Sequence, residues 1–94
     1  MKAEIFEYSG WVNQTDAGTL KDKYNQILRS AGFLILGYIE YNFSPMGFTA
    51  LWLLGESHFA IHTFPEESKT FINLASCSKE YYNEFLSHES RETK

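Results

Sequence analysis

Cross-linking chemistry is nearly absent from this chain. Cys77 is its single cysteine, which excludes a disulfide framework and any multi-cysteine zinc site, so no metal centre is expected. Proline is scarce too, and Pro45 and Pro65 both fall at apparent element boundaries. Positive charge is in the minority: 8 Lys+Arg stand against 12 Asp+Glu, for a net charge of -4. A nucleic-acid binder needs a basic stripe along the phosphate backbone, and this chain offers none. No run approaches the ~20 apolar residues of a membrane-spanning helix. The opening MKAEIFEYSG carries acids early and lacks the apolar core of a signal peptide. The expected compartment is therefore the cytosol. Internal repeats and low-complexity tracts are missing as well.

What remains is an ordinary globular composition: 44% hydrophobic, 17% aromatic and 21% charged. The 94 residues predict one domain spanning 1–94. A chain of this length buries only about two-thirds of its unfolded surface, so a partner subunit would help it. AEIFEY at 3–8 predicts a first strand, and SGWVNQTDAG at 9–18 a loop. Asp16 or Thr19 is placed to cap the helix that follows. Leu20, Tyr24, Ile27, Leu28 and Ala31 fall at helical spacing, and Gly32 is a natural stop. Four strand-like runs come next, at 33–43, 48–55, 58–63 and 70–76, parted by turns at 44–47 and 64–69. KEYYNEFLSH at 79–88 predicts a second helix, and ESRETK a polar tail. Short turns favour antiparallel pairing. The expected fold is α+β, a two-layer sandwich with an antiparallel sheet and two helices on one face. The other face is open or covered by a second copy, and the aromatic content favours the copy.

Most reactive side chains lie in one stretch: Glu56, Ser57, His58, His62, Glu66 and then Cys77. Ser-His and Cys-His pairs are both available there. In a regular strand His58, Ala60 and His62 share one face and Ser57 lies on the other. Cooperation between Ser57 and His62 would need the chain to bend or break near 56–58.

The run ESHFAIHTFPE, with Cys77 eleven residues after Glu66, resembles the signature of the prokaryotic S-adenosylmethionine decarboxylase proenzymes. The resemblance implies a proenzyme that cuts its own chain between Glu56 and Ser57. The Ser57 hydroxyl would attack the Glu56 carbonyl, and elimination would leave a pyruvoyl group at residue 57. Thr49 and His62 would assist processing. The pyruvoyl ketone would form a Schiff base with the substrate amine and act as an electron sink. Cys77 would return a proton. Glu66 would grip the ribose diol of S-adenosylmethionine. Phe6, Tyr8 and Phe43 are candidates to stack on adenine, and Glu7 for a further substrate contact. The product would feed polyamine (spermidine) synthesis, from an active site shared by two protomers of a homodimer. Without the resemblance, Thr49 reads as an ordinary strand threonine, Glu66 as a solvated turn residue and Cys77 as a small buried hydrophobe.

The sequence departs from the family pattern in three places. Asn73 stands where an aspartate is usual, Ser78 follows Cys77 in place of glycine, and HESRETK is too polar and short for the further C-terminal strand of the family. The acidic clusters Glu66-Glu67 and Glu89 to Glu92 read as solvated surface. Two alternatives stay open. One is a related pyruvoyl-dependent decarboxylase of arginine or ornithine. The other is a non-catalytic, unprocessed homologue that binds a partner or regulates one.

Overall fold

A computed structural model of the protein describes residues 3–92. Five strands and two helices run in the order β1 (Phe6–Val12), α1 (Ala17–Ala31), β2 (Ile35–Asn42), β3 (Phe48–Leu54), β4 (Ser57–Phe64), β5 (Lys69–Ser76) and α2 (Lys79–Glu92). A single 3-10 turn, Pro65–Glu67, joins β4 to β5. The strands form one sheet in the order β1-β5-β4-β3-β2, and every pairing is antiparallel. Both helices pack on one face, as the α+β two-layer reading expected.

Helix α1 starts where Asp16 accepts hydrogen bonds from the Thr19 backbone N–H at 2.9 Å and the Thr19 hydroxyl at 2.8 Å. The first of these occupies a backbone donor that the first turn leaves unpaired. Both bonds also hold the Asp16 carboxyl below its ordinary pKa, the backbone donor contributing most. Gly32 ends the helix with φ 107°. A Cβ there would lie 2.8 Å from the Tyr81 ring, so this glycine also lets the end of α1 approach α2.

The core lies between the helices and one side of the sheet. Tyr24 and Leu28 from α1, Trp52 from β3, Phe59 from β4, Leu74 from β5 and Phe85 from α2 are all at or near zero exposure. The alternation of β3 and β4 follows from that packing: Trp52 and Phe59 face the helices, and Leu51, Leu53, His58 and His62 face the other way.

Two sequence-based boundaries need correction. The first strand is expected at 3–8 with a loop from 9, but β1 begins at Phe6, runs on to Val12 and pairs with β5 from Ser76 back to Thr70. Gly10 looks like a turn residue, yet the Tyr8 ring lies over it, with its hydroxyl 2.8 Å from where a Cβ would sit. The second helix was expected to stop at 88, but α2 reaches Glu92. Glu89 is not solvated surface. It is 3% exposed and accepts a hydrogen bond from the fully buried Tyr24 hydroxyl at 3.0 Å. Thr93 and Lys94, the rest of the expected tail, lie outside the described residues. Among the described residues no helix is long and apolar enough to cross a membrane.

Candidate active site

The β3–β4 hairpin turns on two residues, Gly55 and Glu56, between the paired Leu54 and Ser57. Its backbone is held from both sides. Gly55 N–H donates to the Leu34 carbonyl at 2.9 Å, and Cys77 N–H donates to the Glu56 carbonyl at 2.9 Å. Ser57 follows with φ 147°, a value that favours glycine and strains a residue bearing a side chain. Its hydroxyl lies 3.3 Å from Nδ1 of His58. One carboxylate oxygen of Glu56 is buried without a hydrogen-bond partner. Ser57 departs from strand geometry in its φ but stays paired at the start of β4, and its hydroxyl meets His58 rather than His62.

This end of the sheet also carries Glu7 and Cys77. Glu7 pairs with Ala75, which pairs in turn with His58, so all three positions share the face away from the helices. Cys77 is exposed, not the buried small hydrophobe that its chemistry alone suggested. Phe6 sits in the row of Ser76 and Ser57 but turns toward the helices, where its ring meets Tyr82 at 5.8 Å. Tyr8 is likewise on the helix side, against Phe85. Burial, then the nearby Glu89 and Tyr82, push its phenol pKa up. Both departures next to Cys77 and in β5 have structural work. The Ser78 hydroxyl accepts from Tyr81 N–H at 3.2 Å at the start of α2, and Asn73 donates to the Ser9 hydroxyl at 2.8 Å across β1 and β5.

A second cluster occupies the opposite end. Thr49 and His62 are register partners, with the Thr49 hydroxyl 3.1 Å from His62 Nδ1. The imidazole stacks near Phe71 at 6.4 Å, and Tyr41 beyond Thr49 meets the Phe43 ring at 4.8 Å. Glu66 is exposed on the 3-10 turn just past the end of β4. A groove lined by Ile39, Tyr41, Thr49 and Leu51 runs beside this cluster.

The predicted site residues therefore divide. Glu56, Ser57, Cys77 and Glu7 gather at one end, and Thr49, His62, Phe43 and Glu66 at the other. Five residue steps of extended chain lead from Ser57 to His62, about 16 Å at the usual strand rise. Glu7 and His58 at one end and Thr49 and His62 at the other lie on the sheet face that no helix covers. That face is apolar between them, with Leu51 40% and Leu53 54% exposed. Sequence reasoning gave no role to His58 or to the Cys77 backbone N–H. Adjacency to Ser57 was a signal for the first, whereas the second has no side-chain signature.

An open-faced antiparallel sheet, with a strained Glu-Ser hairpin at one end and a Thr-His pair at the other, defines the class: a two-layer α+β sandwich with two separate clusters of reactive side chains. The match to the S-adenosylmethionine decarboxylase family model covers residues 5–92. The chain belongs to that family. It is 36% identical over 62 residues to the S-adenosylmethionine decarboxylase proenzyme of Parasynechococcus marenigrum, covering 66% of this chain and 48% of that one. The proenzyme of Brevibacillus brevis is 36% identical over 64 residues, covering 68% and 48%. The chain spans about half the length of these curated relatives. The crystal structure of the adenosylmethionine decarboxylase from Aquifex aeolicus superposes with a TM-score of 0.79 at 19% identity, over 99% of this chain and 82% of that one. That likeness establishes the fold.

Proposed function

We propose that the chain is a self-processing, pyruvoyl-dependent S-adenosylmethionine decarboxylase of polyamine synthesis, a cytoplasmic enzyme working as one domain and paired with a second copy of itself. The observation that carries this reading is the Glu56–Ser57 peptide, whose carbonyl accepts the Cys77 N–H at 2.9 Å while Ser57 holds φ 147°. Attack by the Ser57 hydroxyl turns the Glu56 carbonyl oxygen into an oxyanion, and a donor already aimed at that oxygen stabilises it. Breaking the peptide also releases the strain at Ser57.

The pyruvoyl group formed at residue 57 supplies the electron sink for decarboxylation. Cys77 returns the proton to the substrate carbon. Its exposed thiol belongs to the residue whose N–H touches the cut peptide, so it starts close to the reacting end. Glu66 takes the ribose hydroxyls. Phe43, packed edge-to-face with Tyr41 beside the groove, takes the adenine ring. Phe6 supports the site from the helix side, and Glu7 lies on the open face near His58.

His62 and Thr49 stand about 16 Å from Ser57 along β4, too far to act on it within one chain. A second copy, laid antiparallel on the open face, brings its His62 and Thr49 to the first copy's Ser57. The uncovered apolar face supports this pairing, since a patch of that kind marks an interaction surface.

Intact-mass spectrometry with and without a carbonyl-trapping reagent tests the reading. Fragments of 56 and 38 residues, the smaller one reactive, are expected. A single unreactive chain would overturn it. Carbon dioxide released from labelled S-adenosylmethionine, and not from arginine or ornithine, fixes the substrate.

A further inference from the structure

Resting on that self-cleavage, we propose that His58 is the base that takes the Ser57 hydroxyl proton in the first step, the N-to-O acyl shift. Three observations carry the assignment. His58 Nδ1 lies 3.3 Å from the Ser57 hydroxyl, the sole side-chain partner of that hydroxyl among the described residues. Within one chain His62 lies at the far end of the strand, and the His62 that a second copy brings to Ser57 already has its Nδ1 3.1 Å from its own Thr49 hydroxyl. The φ of 147° at Ser57 departs from regular strand geometry, and its hydroxyl meets the imidazole of a neighbour that strand alternation would place on the opposite face.

The step balances within the chain. With the imidazole proton on Nε2, Nδ1 is the acceptor. The Ser57 proton moves to Nδ1 as Oγ bonds to the Glu56 carbonyl carbon. The carbonyl electron pair moves onto oxygen, where the Cys77 N–H meets it. As the intermediate collapses, the carbon–nitrogen bond between Glu56 and Ser57 breaks, and the imidazolium gives its proton to the departing nitrogen. An ester and a free amine result, with nothing gained or lost. The work divides between two histidines: His58 serves the acyl shift, and His62 the elimination that follows.

Hydroxylamine separates the two steps, because it cleaves the ester as soon as it forms. His58→Asn keeps an acceptor near the Nδ1 position without the basicity, and His58 is exposed, so the fold has little to lose. In hydroxylamine, His58→Asn should cleave at least ~100-fold more slowly than the unaltered chain, the usual contribution of a positioned base. His62→Ala should cleave normally in hydroxylamine and stall without it. Free imidazole should restore cleavage to His58→Ala, which a structural role would not allow. Cleavage of His58→Asn at the unaltered rate, with unchanged circular dichroism, would overturn the role of His58 and leave self-processing standing. An unaltered chain that stays whole with and without hydroxylamine would overturn both.

Discussion

Glu56 and Cys77 meet through their backbones, the Cys77 N–H donating to the Glu56 carbonyl oxygen at 2.9 Å. One hydrogen bond thereby couples the turn between β3 and β4 to the residue that follows β5. The carbonyl of the peptide preceding Ser57 therefore already carries a donor. The same contact ties the position of the Cys77 thiol to the bond expected to break.

Replacing Ser57 separates chemistry from strain. Ser57→Ala and Ser57→Gly both remove the hydroxyl, and both should remain as whole chains by mass. Glycine accepts φ 147° where alanine does not. Ser57→Gly should therefore be the more stable of the two by about 1 kcal/mol in urea unfolding. Equal midpoints would show that the hairpin stores no strain.

The two half-sites predict complementation. Ser57→Ala and His62→Ala should each be inactive alone. When coexpressed, mixed dimers hold one site with both residues intact, and activity should recover to about a quarter of the unaltered level under random pairing in a two-fold dimer. No recovery, despite mixed dimers seen by native mass spectrometry, would mean that each chain builds its site alone.

Tyr24→Phe should destabilise the fold by about 1–3 kcal/mol, because it leaves the buried Glu89 carboxylate without the hydroxyl donor. Urea midpoints read this directly. An unchanged midpoint would mean that the Tyr24–Glu89 bond does not hold α1 to α2.

Asp16 predicts a pH signature. Its carboxyl pKa is lowered by the Thr19 donors, so the folded state favours the ionised form. That stability is full above the ordinary carboxylate range and is lost as pH falls through the lowered value. Asp16→Ala should melt below the unaltered chain at neutral pH, and the gap should shrink on acidification. A gap independent of pH would mean that the charge on Asp16 contributes nothing.

Much of the fold was legible because the periodicities are clean. HFAIHT alternates, and it assigns His58 and His62 to one face. The apolar spacing in α1 named the five residues that are buried there. What the sequence hid depends on distant partners. Ser9 to Val12 resemble a loop until β5 supplies their hydrogen bonds. Glu89 resembles a tail residue until Tyr24, 65 positions earlier, meets it inside. The resemblance gathered the site residues into one motif, but the register of β3 and β4 divides them between two ends. Nearness in sequence is not nearness in space along an extended strand.

Strand β4 also acts as a gauge. Inserting one residue between His58 and His62 would turn one imidazole toward the core. Inserting two would restore the face but lengthen the separation by about 7 Å. In the proposed two-fold dimer the same strand would span both composite sites, so any change in its length would be felt twice. The count of residues from Ser57 to His62 would thus be a dimension of the proposed assembly, written into a single strand.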